Sequence, residues 1–556
     1  MRASAYITHL RLSARITRIM GVPGFYKYVL TKHRPTVLGS LPAPCEILLI
    51  DLNCAVHRCA ESVAKVLGAV GADGFSAVID AVLRWIEDVG GHSCKPREEL
   101  FLALDGVPPR AKMVQQRSRR FLSTLSDSTL SHSNEDSKKK WNSCCVTPGT
   151  AFMAELSRRL HEAVSGLSER IGCRVVVSDS SEAGEGEHKI FDRLSSLHSL
   201  SKKTVVVYGA DADLIMLSLV SPTETPFVLR EDQSVSVMQS GHLAFQYIDV
   251  DMLRRRIGAA GVEPREFVVL CMFLGNDFVP PLSFLRVRER GVDYLLEKYA
   301  QLNNEKTKAF KLLDGEKRME RMECLDFASV SRLIEAIAKD EDEGYKAVDA
   351  VWVDAMQRRY GGPFSGSDEW ARPYASKICD ASKIRPGTYG WRQRYYSCLF
   401  PDSSIIQELS DAYLSGILWT TLYYFHYAES NVKRSDWYYP HAYSPSAVDV
   451  ANYMSSMSHK SGFTVLADAI DVVGAITSAA VKDPVLQLLL VLPPGAADLL
   501  PAHLTRIMTD VGEGLLHFYP VKFKLAMYMK WHVSDTLAIL PDVDGAEVLK
   551  AMRRLS

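Results

Sequence analysis

The chain has 556 residues, of which 47% are hydrophobic and 24% charged, the balance of an ordinary soluble globular protein with enough apolar material for large cores. Its 65 basic and 66 acidic side chains leave a net charge of −1, which excludes a polycationic tail and an acidic disordered chain but leaves room for a local nucleic-acid patch. Eleven cysteines without a CxxC pair argue against zinc knuckles, zinc ribbons and thioredoxin-type chemistry, and fit reduced thiols.

The first 19 residues stand apart. They hold Arg2, Arg11, Arg15 and Arg18 and no acid. On a helix, Arg11, Arg15 and Arg18 share a face beside an apolar stripe of Leu12, Ile16 and Ile19. That is the composition of a mitochondrial transit peptide. The alternatives are an upstream start codon, with the working protein beginning at Met20, and a disordered tail. Localisation follows: mitochondrial with a transit peptide, cytoplasmic or nuclear without one.

From Gly21 to about residue 300 the pattern is α/β. Short apolar runs, Ile47–Ile50, Phe101–Leu104, Val175–Val177 and Val205–Tyr208, each end close to an acid: Asp51, Asp105, Asp179 and Asp211. Helical patterns such as Ser76–Val89 and Ala151–Ile171 lie between them. Continuous apolar strands alternating with helices predict a parallel sheet covered on both faces. Functional groups in such sheets gather beyond the carboxyl ends of the strands. Ser123 to Ser143 is polar and Ser-rich and predicts a surface loop or insertion. Residues 301–360 read as a charged helical connector, and residues 361–556 as a mainly helical block rich in aromatic residues. Within that block, Ala412 to Ala428 is uncharged for 17 residues. It carries Ser, Thr, His and four Tyr and predicts a buried helix rather than a membrane span.

Seven acids stand out by context: Asp51 after ILLI, Asp105 before Gly106, Glu185 and Glu187 in AGEGEHK, Asp211 and Asp213 in YGADADLIM, and Asp277 in FLGNDFVPPL. Any one of them alone is most often a cap or a turn former. Together they are more specific. If they converge, their repulsion requires cations, and an all-oxygen set without accompanying His or Cys clusters points to Mg²⁺ or Mn²⁺ rather than zinc. Two such ions would serve phosphodiester hydrolysis.

Residues 110–120, RAKMVQQRSRR, hold five bases and no acid. At 100° per residue, Lys112, Gln116, Arg119 and Arg120 fall within about 100° of arc. They form a face suited to a terminal phosphate. A solvated helix face is the plainer reading.

These segments, with MGVPGFYKYV at Met20, IDLNCAVH at Ile50 and CVTPGTAFM at Cys145, resemble the XRN-type 5′→3′ exoribonucleases. The resemblance continues through YYPHAYSP at Tyr438, QLLLVLPP at Gln487, LLP at Leu499, MTD at Met508 and FYP at Phe518. It implies a PIN/FEN-like α/β catalytic domain over residues 21–300, with a parallel sheet and helices on both faces. A second conserved helical domain would cover 361–556, joined by a linker at 301–360. It implies processive hydrolysis of single-stranded RNA bearing a 5′-monophosphate, in RNA decay or processing, by two Mg²⁺ (or Mn²⁺) ions. Asp51, Asp105, Glu185, Glu187, Asp211, Asp213 and Asp277 would be the metal carboxylates, and Lys112, Gln116, Arg119 and Arg120 the 5′-phosphate pocket. His57 and a tryptophan, Trp437 before Trp419, would sandwich the first base. A monomer would suffice, and no membrane is implied. Ala183 replaces the family's usual proline, a change expected to loosen the turn. Two other readings remain: a 5′ flap or DNA exonuclease of the same superfamily, which would need a helical arch and a helix-hairpin-helix clamp, and a catalytically inactive RNA-binding scaffold.

Overall fold

The computed structural model describes residues 22–556 apart from 68–73, 131–140, 198–202, 222–225, 232–244, 305–309, 314–323, 361–382, 401–404, 426–434, 458–469, 471–474 and 532–534. The N-terminal extension and most of the Ser-rich insertion therefore lie outside the described residues.

Seven strands form one sheet: β1 (Val37–Leu38), β2 (Ile47–Asp51), β3 (Glu99–Ala103), β4 (Arg174–Ser178), β5 (Val205–Tyr208), β6 (Pro226–Glu231) and β7 (Phe245–Asp249). Their order is β1-β7-β6-β5-β2-β3-β4. The five strands from β6 to β4 run parallel, four of them at the apolar runs named above and β6 in addition, with Leu48 opposite Leu100 and Val206. The last two, β7 and β1, pair antiparallel and make the sheet mixed. Chain direction across the sheet reverses at β2, whose neighbours β3 and β5 lead to opposite edges. That is the switch point where α/β sheets open a crevice beyond the strand ends.

Alternation along each strand feeds two cores. Leu48, Ile50, Leu100, Leu102, Val206 and Tyr208 face one side. There they meet α1 (Leu52–Leu67), α2 (Phe75–Asp88) and, after α3 (Arg110–Leu130), α4 (Ala151–Ile171). Ile47, Leu49, Phe101, Val205 and Val207 face the other side. They meet α5 (Gly186–Ser196) and α6 (Asp213–Val220). The same core continues into α7 (Phe327–Lys339), α8 (Glu341–Tyr360), α9 (Ile406–Phe425) and α10 (Ala447–Ser456). A third core joins Val107 and Met113 to α11 (Pro484–Val491) and α12 (Gly545–Leu555).

Boundaries shift in places. The strand expected at Phe101–Leu104 runs Glu99–Ala103, with the Leu104 N–H still bonded to the Ser178 carbonyl of β4 at 2.9 Å. The loop expected from Ser123 instead begins as the last turns of α3, which continues to Leu130. Its Ser and Thr hydroxyls bond back along the helix, Ser123 to the Arg120 carbonyl at 2.7 Å and Thr124 to the Phe121 carbonyl at 2.7 Å. Helix α9 is buried on nearly every side, and no described helix is long and apolar enough to cross a membrane.

Candidate active site

The carboxylates collect where the strand order reverses. Asp51 is the last residue of β2 and is buried. Asp105 follows β3 by two residues. Asn53 fixes both: its backbone N–H donates to Asp51 Oδ1 at 3.2 Å, and its side-chain oxygen accepts the Asp105 N–H at 3.2 Å. Glu185 caps α5 and Glu187 lies in its first turn. Between them, the Gly186 N–H donates to Asp105 Oδ1 at 2.7 Å. A Cβ at Gly186 would sit 3.0 Å from Asp51 Oδ1 and 3.4 Å from Asp105 Oδ1, so a side chain here would crowd both acids. The turn is clipped by two main-chain bonds, Gly106 N–H to the Gly184 carbonyl at 2.8 Å and Gly184 N–H to the Val107 carbonyl at 3.0 Å. These bonds hold the turn in place with Ala183 where a proline was expected.

Beyond β5, Asp211 Oδ1 accepts the Asp213 N–H at 3.2 Å, and Asp213 opens α6. Ligand atoms of Glu187, Asp211 and Asp213 lie within 4.8 Å of one another, as do those of Glu185, Glu187 and His188. Asp211 Oδ2 and Asp213 Oδ1 are buried without a hydrogen-bond partner among the described residues. Buried carboxylate oxygens left in that state are strongly unfavourable unless the group is protonated or a cation completes it. The residues therefore fit a divalent ion with hard oxygen ligands.

The electrostatics agree. Burial, with Asp105 next, pushes Asp51 up to about 8. Burial, with Asp277 next, pushes Asp211 up to about 6. Burial lifts Glu187 and Asp213 well above the carboxylate range, with Glu185 and Asp211 respectively adding to it. No His or Cys cluster was expected beside the acids, and one residue of each type lies there. His188 lies in one ligand triad, and the Cys54 thiol donates to Asp51 Oδ2 at 3.5 Å. Burial, then Lys112, drives His188 down to about 3, so it is neutral. Its side chain follows the GEGE turn directly, a signal the sequence contained.

The basic helix α3 divides into two faces. Lys112 is buried, with Nζ 2.6 Å from Glu185 Oε2 and 3.1 Å from Asp277 Oδ2, and Arg119 Nη2 is 2.9 Å from Asp277 Oδ1. Burial pulls Lys112 down, but Glu185, Asp277 and Glu187 outweigh it and keep the ammonium charged. Asp277 thus reaches the other acids through Lys112. Arg120 donates to Gln116 Oε1 at 3.2 Å and to Thr147 Oγ1 at 2.8 Å. On the opposite face, Arg110 donates to Asp542 Oδ1 at 3.2 Å and to the Val543 carbonyl at 3.1 Å, and Arg117 to the Pro541 carbonyl at 2.7 Å. Those two bases hold the C-terminal segment rather than face the acids.

Three rings run from the surface to the acids. Trp437 is partly exposed and stacks on Trp419 with centroids 5.3 Å apart. Trp419 is fully buried and stacks on Tyr423 at 4.8 Å. The Tyr423 hydroxyl donates to Glu185 Oε1. Trp419 has no exposed face for a base, so of the two tryptophans only Trp437 reaches solvent. His57 is half-buried on α1, six residues after Asp51. Sequence reasoning missed Asn53 and Tyr423. Tyr423 sits in an apolar run, where an aromatic residue is ordinarily core.

Two family models match this chain: "XRN 5′-3′ exonuclease N-terminus" over residues 20–232, and "Xrn1 helical domain" over 265–359 and 368–556. Among curated relatives, the 5′-3′ exoribonuclease 2 homolog of Drosophila melanogaster is 25% identical, over 96% of this chain and 71% of that one. The 5′-3′ exoribonuclease 2 of Gallus gallus is 25% identical over 96% and 70%, and the 5′-3′ exoribonuclease 1 of Homo sapiens 25% over 96% and 34%. A solved chain described as the catalytic core of Rad2 in complex with DNA substrate matches at 12% identity and a TM-score of 0.30, covering 81% of this chain and 100% of that one. That overlap is too low to support a conclusion.

Proposed function

The chain belongs to the XRN 5′-3′ exonuclease family, and from that membership we propose that it degrades single-stranded RNA carrying a 5′-monophosphate, one nucleotide at a time and processively. One observation carries the reading. The cations of α3 and the carboxylates share a wall: Lys112 touches both Glu185 and Asp277, and Arg119 touches Asp277. An anion held by the basic face would sit beside the acid cluster.

Lys112, Gln116, Arg119 and Arg120 would receive the terminal phosphate, with the two guanidiniums supplying fork geometry. Trp437 and His57 would hold the first base by stacking, which tolerates any sequence. Asp51, Asp105, Glu185, Glu187, Asp211, Asp213 and Asp277 would hold Mg²⁺ or Mn²⁺, as two ions. When bound, such ions activate water and offset charge on the leaving oxygen of a phosphodiester. Water adds its oxygen to phosphorus, the P–O3′ bond breaks, and the O3′ takes up a proton. The scissile phosphate stays on the second nucleotide, so every product is again a 5′-monophosphate substrate. The shortened RNA can therefore enter another cycle with its end chemistry unchanged.

The test is a Mg²⁺-dependent decay of 3′-labelled RNA, chased with excess unlabelled RNA after binding. The reading predicts loss of full-length RNA to mononucleotides with no intermediate ladder. Binding without decay would instead favour a scaffold, and internal cleavage or a preference for DNA the flap-nuclease reading.

A further inference from the structure

Gln487 lies on α11, in the QLLLVLPP segment, and its side chain is fully buried. Its Nε2 donates to Gln116 Oε1 at 3.5 Å across the interface between α11 and α3. Gln116 Oε1 also accepts from Arg120 Nη1 at 3.2 Å. Arg120 is anchored in turn by Thr147 Oγ1 at 2.8 Å, and the Thr147 hydroxyl donates to the Cys144 carbonyl at 2.7 Å. Two donors therefore converge on one acceptor.

That convergence fixes the direction of an amide. An amide has a donor end and an acceptor end, and the surrounding network decides which faces where. Turning the Gln116 amide over would set its NH₂ against the Arg120 guanidinium, which has only donors, and against the Gln487 NH₂. Turning the Gln487 amide over would set oxygen against oxygen. One arrangement avoids both clashes: Gln116 gives its oxygen to Gln487 and Arg120 and keeps its N–H₂ for whatever else occupies the basic face. Gln487 Oε1 is left buried without a hydrogen-bond partner among the described residues. A buried acceptor without a partner is unfavourable. An apolar residue would avoid that cost, so simple packing does not account for a glutamine here.

We infer that Gln487 is a specificity-determining positioning residue: it locks the Gln116 amide so that the basic face presents only donors, which matches a terminal phosphate, a group with only acceptors at its oxygens. The inference rests on the proposal that Lys112, Gln116, Arg119 and Arg120 receive the 5′-phosphate. It adds that the second helical block sets the polarity of that pocket.

The isosteric change Gln487→Glu tests it. A carboxylate would accept from the Gln116 NH₂, turning its amide over at the cost of the bond from Arg120, and aim an oxygen at the phosphate. Michaelis constants are measured for one RNA with a 5′-monophosphate and with a 5′-hydroxyl, in wild type, Q487E, Q487M, Q116M and Q116M/Q487E. The lock predicts that Q487E raises KM for the monophosphate RNA by about tenfold or more, on the scale of one charge-assisted hydrogen bond. KM for the hydroxyl RNA moves far less, and the effect falls on KM more than on kcat. Q487M, which keeps the volume and removes the lock, lies between. Because Gln487 acts through Gln116, adding Q487E to Q116M costs little further. Equal effects of Q487E on both RNAs, or a full additional loss in the Q116M background, would show packing or a bare charge effect and overturn the lock. If Q487E does not fold, Q487M decides: an unchanged ratio of the two KM values overturns the lock. If wild type does not distinguish the two ends, the phosphate-pocket proposal falls and the lock with it. If Arg119→Ala erases the distinction and Q487E does not, the lock alone falls.

Discussion

Asp51 shows what the fold does to one side chain. Burial and the adjacent Asp105 raise it from 3.8 to about 8. A carboxyl that holds its proton more tightly when folded stabilises the metal-free protein at low pH, and that contribution is lost as pH rises from about 4 to about 8. Divalent ions need the deprotonated form and reverse the trend. The melting temperature in EDTA should therefore fall between about pH 6 and pH 8, more steeply than in Asp51→Asn, and Mg²⁺ should flatten the fall. Equal slopes for the two proteins would contradict this. Tyr423 acts at one remove, through its hydroxyl on Glu185. Tyr423→Phe keeps the ring stack and should weaken divalent-ion binding by about 10–100-fold, the usual cost of losing an outer-shell partner. Calorimetric titration with Mn²⁺ reads this without any turnover. Six of the seven acids were legible because each follows an apolar run or lies at a helix start, and Asp277 by its FLGNDFVPPL context alone. Tyr423 was not, because an aromatic in an apolar run carries no mark of the carboxylate it meets.

Helix α3 does two jobs with one run of bases. Its sequence shows five cations and no acid, and periodicity groups Lys112, Gln116, Arg119 and Arg120. The role of Arg110 and Arg117 was not legible, since their partners, Asp542 and the carbonyls of Pro541 and Val543, are more than 400 residues away. Two substitutions separate the faces. Arg117→Ala should lower the melting temperature by several degrees, because it strands buried carbonyls of the C-terminal segment. Arg119→Ala should leave the melting temperature nearly unchanged and raise KM for monophosphate RNA by about 10–100-fold, the worth of a charge-assisted bond. Matching thermal and kinetic losses in both variants would contradict the division. Helix α9 was legible as a core helix from its polar hydroxyls. The π turn at Val89–Cys94, where Ser76–Val89 was expected to end, was not, because it depends on how Gly90 packs against Ile171.

At the scale of the molecule, the acid cluster is complete only where sheet and helical block meet. Asp51, Asp105, Asp211 and Asp213 come from strand ends, while α9 brings Tyr423 and its stacked tryptophans to Glu185. The α/β pattern and four of the five parallel strands could be read from apolar runs alone; β6 was not among them. The antiparallel edge of β7 and β1 could not, because β1 is two residues long and carries no periodicity. The joining of residues 327–360 to the same core was also hidden, since a charged exposed face masks the buried one. The central claim is that this acid cluster hydrolyses RNA from an end recognised by the basic face. The measurement that tests it most directly is Mg²⁺-dependent decay of one RNA prepared with 5′-monophosphate, 5′-hydroxyl and 5′-triphosphate ends, using wild type and Asp213→Ala. Rapid loss of the monophosphate RNA alone, absent in Asp213→Ala and in EDTA, is the predicted result. Equal decay of all three ends, or undiminished decay by Asp213→Ala, would contradict it.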